Sequence, residues 1–207
     1  MISGLSDLEL AKREPIVNAA LKEFARKGYD EASTNEIVRE AGVSKGLLFH
    51  YFHSKKELFL FLVDYTLEII QREFVDLINT EERDIFARYR QAALLKIDMI
   101  ARHPYVFDFI GVAALTESAQ VKEAIQSRTH TLLALSLSRF FDQMDTSRFR
   151  PGIDVKRAMR IIIWTMEGYE RAAQQELQTK TVSQLDYDAF LADFDAYIDV
   201  LKGCFYQ

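Results

Sequence analysis

Apolar residues recur at gaps of three and four along almost the whole chain, and this spacing constrains the fold more than any other feature. Residues spaced in this way share one face of an α-helix, whereas a half-buried strand would alternate apolar and polar residues. Glycine and proline, which interrupt helices, number only eight and three among 207 residues. The sequence therefore predicts an all-α protein of about nine helices.

Capping and breaking residues predict the bounds of the first two helices. Proline is favoured at the first position of a helix, so the first helix is expected to begin at Pro15 and to end at Gly28. Ser33 and Glu36 have the spacing of a capping box, in which two side chains satisfy free backbone N–H groups. A second, short helix is expected to begin there and to end at Gly42.

Further serine residues mark the next helices. Ser44 is placed to cap a third short helix that reaches Tyr51, and Ser54 with Glu57 forms another capping box. The fourth helix is expected to run from there to about Asn79. The remaining helices are predicted at 86–103, 105–115, 121–144, 154–178 and 184–204. The last two carry apolar residues on more than one side, which indicates a central core position or a partner chain.

Charge and cysteine content exclude several protein classes. A single cysteine, Cys204, allows no internal disulfide and no cysteine-based zinc site. The longest run without a charged residue, 129–138, has ten residues, whereas a membrane-spanning helix needs about 20 apolar ones. The first residues lack the order of a signal peptide. We therefore expect a cytoplasmic protein without a membrane span, a metal or a cofactor.

The segment 33–52 has the order of a helix-turn-helix, STNEIVREAGVSKGLLFHYF. A recognition helix needs small residues at its N-terminal end so that its backbone can approach the major groove. Ser44, Lys45 and Gly46 supply small size, a charge and a hydroxyl there. Gly46 would otherwise cost about 1 kcal/mol relative to alanine. Lys55 and Lys56, at the start of the next helix, oppose its dipole, so we expect them to contact DNA phosphates.

Positive charge is concentrated in this segment although the chain as a whole is acidic, with a net charge of -5. Residues 1–57 contain nine Lys and Arg against nine Asp and Glu, whereas the rest contains 17 against 22. Between Arg39 and Lys56 four cations face only one anion, Glu40. The proposed DNA-facing segment is therefore locally basic.

Residues 13–60 resemble the N-terminal part of the TetR family of transcriptional regulators. The positions that match the family's pattern are Phe24, Gly28, Thr34, Ile37, Ala41, Gly42, Val43, Ser44, Gly46, Leu48, Tyr51, Phe52, Lys55 and Leu58. The resemblance implies a three-helix DNA-binding domain, 1–57, followed by a helical-bundle domain for effector binding and dimerisation, 58–207. It also implies that these residues bind DNA: Thr34, Ser44, Lys45, Gly46, Leu47, Phe49, His50, Tyr51 and Lys55.

Two positions in the recognition segment depart from the family's pattern. Leu47 stands where the family often has threonine or another small residue, and Phe49 stands where it often has tyrosine. The loss of a hydroxyl removes a phosphate hydrogen bond, while Leu47 can contact a thymine methyl group, so base preference does not transfer from relatives. His50 and His53 have the look of a metal pair, but phosphate contact or solvent exposure is the favoured interpretation.

The family typically encloses a ligand pocket among its central helices, and the resemblance places one within 85–178. The candidates for an apolar wall are Phe107, Phe140, Trp164 and Tyr169. Glu167 is a further candidate, because it lies within the apolar run IIIWTMEGY and would cost free energy there without a partner. A surface position or a salt bridge to Arg171 is the alternative. The implied effector is small and largely apolar.

The function that the resemblance implies is that of a homodimeric, ligand-responsive repressor bound to a palindromic operator in the bacterial nucleoid. Dimerisation is expected through the last two long helices, 154–178 and 184–204. One alternative is a DNA-binding or assembly protein of the same fold without an effector. Another is an enzyme on a helical bundle, but the sequence contains no phosphate loop, nucleophile elbow or HExxH motif. Whether such a protein represses or activates transcription depends on the position of its operator, so a function as an activator remains an alternative.

Overall fold

The computed structural model describes residues 7–177 and 186–207. Within these residues the chain forms nine α-helices: α1 (Asp7–Glu31), α2 (Thr34–Ala41), α3 (Lys45–Phe52), α4 (Lys55–Glu73), α5 (Ile85–Arg102), α6 (Val106–Ala114), α7 (Lys122–Phe141), α8 (Val155–Leu177) and α9 (Tyr187–Phe205). A turn of 3-10 helix, Val75–Leu77, follows α4. The all-α prediction is confirmed. The bounds predicted near residues 178 and 184 lie outside the described residues.

The chain divides into two compact units. The first comprises Met1–Leu77 and Arg102–Leu137, and the second comprises Ile78–Ala101 and Ser138–Gln207. The helix-turn-helix segment and α6 thus belong to the same unit. The division at residue 57 that the sequence predicts concerns function, and it stays a prediction.

The first helix begins earlier than predicted and is kinked at the glycine where it was predicted to end. Pro15 lies inside α1 and does not open it. A proline removes one backbone hydrogen bond, but helical residues can continue on both sides of it, so the rule that places proline first gave the wrong start here. At Gly28 the backbone leaves helical geometry with φ 69° and ψ −176°. Such a positive φ is accessible to glycine at little cost, and one more turn follows to Glu31.

Two of the three predicted serine caps form. The Ser44 hydroxyl accepts a hydrogen bond from the Leu47 N–H at 3.2 Å, and the Ser54 hydroxyl accepts one from the Glu57 N–H at 3.1 Å. Ser33 precedes α2 in an extended conformation, but its side chain makes no capping bond. The capping box predicted there is therefore wrong.

Tertiary contacts replace that capping box. The Ser33 backbone N–H donates to Glu23 Oε1 in α1 at 2.9 Å, and Glu36 forms an ion pair with Arg39 one turn along α2. Glu23 is a buried carboxylate whose local sequence gives no sign of this bond. The N-terminus of α2 is thus held by α1 and not by its own capping side chains.

A cluster of aromatic rings from α1, α4 and α6 forms the core of the first unit. Phe24, Phe59 and Phe109 are wholly buried, and their ring centroids lie 4.8 to 6.3 Å apart. Ring pairs at such distances contribute about 0.5–1.5 kcal/mol each beyond the area that they bury. The core that supports the helix-turn-helix therefore includes α6.

The end of α4 is held by a charged cluster in the same unit. The helix ends at Glu73, short of the Asn79 predicted from the sequence. The Glu73 carboxylate forms ion pairs with Arg72 and Arg102 and lies 3.1 Å from His103 Nε2. Burial alone would raise the pKa of Glu73, but these cationic neighbours hold the pKa below its ordinary value.

The core of the second unit lies between α8 and α9, with α5 against them. Its buried residues are Ile85, Phe86, Phe149, Ala158, Ile162, Met166, Phe194, Ile198 and Leu201. Arg88 of α5 is also wholly buried, and its guanidinium donates only to backbone carbonyls. These carbonyls belong to Phe140 and Asp142 at the end of α7, at 2.7 and 2.8 Å, and to Thr80 and Glu82. Arg88 therefore satisfies the last carbonyls of α7.

Candidate nucleic-acid interface

The turn between α2 and α3 is set by a glycine in the left-handed conformation. Gly42 has φ 67° and ψ 28°, and the Val43 N–H returns to the Val38 carbonyl at 3.0 Å. Such a glycine closes a helix by satisfying its final carbonyls, and a side chain at this φ would be strained. The chain then extends through Ser44, which caps α3. The helix-turn-helix predicted from the sequence is therefore present in local geometry.

The third helix has one buried side and one exposed side. Leu48 and Phe52 are 1% and 4% exposed and anchor the helix in the core of the first unit. Because they lie four residues apart, they share one face. The residues between them and before them point outward and are exposed or half-buried: Lys45, Gly46, Leu47, Phe49, His50 and Tyr51. Six of the predicted DNA-binding residues thus lie outside the buried face of α3.

Among the described residues nothing requires glycine at position 46. A Cβ built there would meet only the Ser44 hydroxyl oxygen, at 3.8 Å, which is an ordinary contact. The backbone of Gly46 is helical, so its φ does not call for glycine either. Among the described residues nothing therefore offsets the helical cost of this glycine, and the close approach of DNA to Gly46 stays a prediction.

Lys55 makes internal contacts that sequence analysis did not anticipate. Its ammonium group donates to the Asp30 carbonyl at 3.0 Å and lies 5.1 Å from the centroid of the Tyr29 ring. Burial lowers the pKa of Lys55 despite the opposing influence of nearby carboxylates. The lysine thus ties the start of α4 to the end of α1, and its predicted phosphate contact stays a prediction.

The remaining cations of the segment differ in how freely they are presented. Arg39 is paired with Glu36 within α2. Lys45 and Lys56 are exposed, and within the described ranges neither has a carboxylate partner. Lys45 lies 6.0 Å from the Phe49 ring centroid, at the limit of a cation–π contact. These two lysines are the cations best presented to an anion, while Thr34 is half-buried at the start of α2.

A hydrogen-bonded junction links the end of α1 to the loop between α6 and α7. The Tyr29 hydroxyl donates to Gln120 Oε1 at 2.8 Å, and the Ser118 hydroxyl donates to Asp30 Oδ1 at 2.8 Å. Asp30 also accepts the Lys55 bond through its carbonyl. Tyr29 and Asp30 therefore connect the end of α1 with the start of α4 and with the loop between α6 and α7. The sequence alone does not reveal this link, because its partners are far apart along the chain.

The five ligand-pocket candidates do not share one environment. Phe107 lies in the first unit, edge-on to Phe74 at 6.0 Å, whereas the other four lie in the second unit. Phe140 packs edge-on against Tyr89 at 4.8 Å. Tyr169 contacts aromatic rings of α9.

The remaining two candidates are directed to solvent. Trp164 is 61% exposed on the outer side of α8, with the Arg160 guanidinium 5.9 Å from its ring. Glu167 is exposed, which agrees with the alternative that it occupies a surface position. The role of all five residues in ligand binding stays a prediction.

The second unit also contains an open, polar cavity of about 400 Å³ that none of these candidates lines. Its lining residues are Glu81, Glu82, Arg83, Asp84, Ala87, Asp145, Arg148 and Lys202. Among the described residues, no group of three or more potential ligands is arranged to hold a metal ion. No helix in those same ranges combines the length and apolar character that a membrane span requires.

Comparison with known proteins identifies this arrangement. A family profile described as "Bacterial regulatory proteins, tetR family" matches residues 16–62. The uncharacterized HTH-type transcriptional regulator YuxN of Bacillus subtilis is 29% identical over 135 residues, which cover 64% of this chain and 44% of YuxN. The chain spans less than half of the length of the curated relatives that it matches first.

Solved structures extend the likeness to nearly the whole fold. A TetR family transcriptional regulator from Chloroflexus aurantiacus superposes with a TM-score of 0.66 at 19% identity, covering 99% of this chain and 96% of that one. The SmeT–triclosan complex superposes with a TM-score of 0.54 at 18% identity, covering 95% and 92%. The family profile and the related regulators therefore support a TetR-type helix-turn-helix at residues 16–62, and the solved structures show that this chain shares the fold of TetR regulators.

Proposed function

We propose that the chain is a ligand-responsive transcriptional repressor that binds a palindromic operator as a homodimer. The observation that carries the proposal is the exposed side of α3, presented outward by the buried anchors Leu48 and Phe52. Each subunit inserts this side into the major groove, where Leu47 and Phe49 supply apolar contacts to bases. Lys45 and Lys56 neutralise flanking phosphates. Action on an operator places the protein at the bacterial nucleoid.

The outer surfaces of α8 and α9 support dimerisation. Large apolar side chains are exposed there, at 44% for Ile161, 61% for Trp164, 46% for Tyr197 and 66% for Val200. Within each helix these residues are three apart, so each pair forms part of one stripe. Two such helices with their two-fold copies make a four-helix bundle that buries the stripes.

Charge on the same two helices is complementary. The exposed charges of α8 between 156 and 160 are all positive: Lys156, Arg157 and Arg160. The exposed charges of α9 up to residue 199 are all negative: Asp188, Asp193 and Asp199. A two-fold arrangement that sets α8 of one subunit beside α9 of the other brings opposite charges together at the rim.

An effector acts by favouring a conformation in which the α3 helices of the two subunits no longer fit the operator. Support comes from the triclosan complex of SmeT, whose fold this chain shares. In this chain the junction of Tyr29 and Asp30 with the α6–α7 loop offers a route, since movement of that loop displaces the end of α1. The proposed ligand is small and largely apolar, and of the residues predicted to bind it, Phe140 and Tyr169 lie against other aromatic rings of the second unit.

The direct test is selection of bound duplexes from a random pool at a stated salt concentration, followed by sequencing. An enriched palindrome with half-sites about one helical turn or a multiple apart supports the dimeric regulator. The same selection with a variant that carries both Lys45→Ala and Leu47→Ala should lose the enrichment. This variant keeps the buried anchor Leu48, so α3 should stay in place. If the unaltered, folded protein enriches no sequence, the proposal fails.

A second candidate is a DNA-binding protein of this fold without an effector. The exposure of Trp164 and Glu167 favours it, because two of the five predicted pocket residues are directed to solvent. A screen of small apolar compounds separates the two candidates by operator release. Release by at least one compound supports the ligand-responsive repressor, whereas a screen without release favours the second candidate.

A further inference from the structure

Arg13 of α1 places its charged group against the recognition helix. Its guanidinium carbon is 4.8 Å from the centroid of the Tyr51 ring and 5.5 Å from that of Phe52. Phe52 is a buried anchor, whereas Tyr51 belongs to the outward side of α3. The arginine is therefore stacked at the border between the core and the exposed side of the recognition helix.

The hydrogen-bonding state of Arg13 is unusual for a half-buried arginine. Its Nε is inaccessible to solvent and has no hydrogen-bond partner. Within the described part of the chain, no carboxylate forms an ion pair with Arg13, in contrast to Arg39 of α2, which is paired with Glu36. A buried donor without a partner costs about 1–3 kcal/mol. The contacts with the described residues therefore leave the charge of Arg13 uncompensated.

Stacking on aromatic rings leaves the edge of a guanidinium free. The ring faces hold the planar group by cation–π attraction, while the terminal N–H groups lie in the plane and can donate to an oxyanion. An arginine held in one orientation loses less side-chain entropy when it binds such a group. The anion that the outward side of α3 is proposed to meet is the DNA phosphate backbone.

We infer that Arg13 is a phosphate-binding residue of the DNA interface, oriented for that contact by the Tyr51 ring. This inference rests on the proposed function and adds a contact from α1, outside the helix-turn-helix segment. In a homodimer the contact occurs twice, once at each half-site. Tyr51 then has a second task beyond its own predicted contact, since its ring positions the arginine.

Salt dependence distinguishes a phosphate contact from a merely structural role. Each neutralised phosphate contributes about 0.9 to the slope of log K against log salt concentration. Loss of two contacts should therefore reduce the slope by about 1.8. We expect Arg13→Gln to weaken operator binding by tenfold or more at about 0.1 M salt, with this reduced slope. Arg13→Lys keeps the charge and should retain most of the slope while losing affinity.

The matched control is Arg83→Gln, which removes an equal charge from an exposed arginine of the second unit that bonds to Gln143. Its affinity and slope should equal those of the unaltered protein. Arg13→Met, which keeps the unbranched stem against the rings, replaces the glutamine variant if that variant does not fold. Circular dichroism verifies folding of each protein.

The outcomes separate this inference from the proposed function. Every measurement is repeated on a random duplex, because non-specific binding depends on the same phosphate contacts. A reduced slope on random DNA without an enriched palindrome supports the Arg13 contact and overturns the operator proposal. Unchanged binding by Arg13→Gln, or weaker binding with an unchanged slope, overturns the Arg13 contact alone. Absence of any DNA binding by the unaltered protein overturns both.

Discussion

Replacing Gly46 by alanine should change stability and DNA binding in opposite directions. The added methyl group would meet only the Ser44 hydroxyl oxygen, at 3.8 Å, so the folded chain accommodates it without a shift. Alanine also lowers the backbone entropy of the unfolded chain and favours the helix. The variant should therefore be more stable than the unaltered protein.

The expected gain follows from the position of Gly46 in its helix. An interior replacement of glycine by alanine contributes up to about 1 kcal/mol, but Gly46 is the second residue of α3, where helical hydrogen bonds are still incomplete. We expect a gain of about 0.5 kcal/mol, or a rise in Tm of about 1–2 °C for a chain of this length. The Cβ projects from the side of α3 that is proposed to enter the major groove, so operator affinity should fall by about tenfold or more.

Two assays on the same preparation provide the comparison. Urea unfolding followed by circular dichroism gives the free energy of unfolding, and fluorescence anisotropy of a labelled operator gives Kd. Ser127→Ala is the control, since Ser127 is an exposed residue inside α7, away from α3 and from the helices proposed to form the dimer, and alanine favours a helix more than serine does. It should stabilise the chain similarly without weakening the operator complex. The reasoning is refuted if Gly46→Ala binds the operator as tightly as the unaltered protein, or if it lowers stability.

Three further predictions concern stability and assembly. Arg88→Met leaves at least four backbone carbonyls without their donor and should lower the free energy of unfolding by about 3–5 kcal/mol. The control Arg90→Met breaks an exposed ion pair and should lower it by less than about 1 kcal/mol, so equal losses in urea unfolding would contradict the role of Arg88. The lowered pKa of Glu73 contributes stability that is fully present above the unfolded pKa of about 4.3 and is lost as the pH falls through the folded value. Glu73→Gln should therefore destabilise the chain at pH 7, and the difference should shrink as the pH falls through the folded pKa; a difference independent of pH would contradict the ion-pair account. In sedimentation experiments Trp164→Glu should convert the proposed dimer to a folded monomer, and a Trp164→Glu protein that stays dimeric would exclude the proposed interface. The control Leu115→Glu changes a residue that is 82% exposed and lies outside α8 and α9, so that variant should stay dimeric.

Capping and turn rules predicted the helix-turn-helix well because its geometry depends on residues that are close together in the chain. The left-handed conformation at Gly42 and the hydroxyl caps at Ser44 and Ser54 follow from residues within four positions of each. The same rules gave wrong results where a distant partner intervened. Ser33 makes no capping box because Glu23 of α1 accepts its backbone N–H.

The candidate site shows the same division between local and distant effects. Helical spacing alone separates Leu48 and Phe52 from the outward residues of α3, so the exposed set was predictable. The stacking of Arg13 on Tyr51 was not, because no pattern in the sequence brings α1 against the end of α3. Lys55 was expected to face DNA, yet its ammonium group is held by the Asp30 carbonyl.

The sequence by itself determined that this chain is helical, that a helix-turn-helix lies at 33–52 and that residues 13–60 resemble TetR regulators. Those properties are written in spacing, capping and residue type over short distances. Only the tertiary structure decided that Arg88 holds the end of α7, that α6 shares a core with α1 and α4, and that Trp164 is directed outward. Buried hydrogen bonds and ring contacts join residues far apart in the chain, and their partners are chosen by packing rather than by the local sequence.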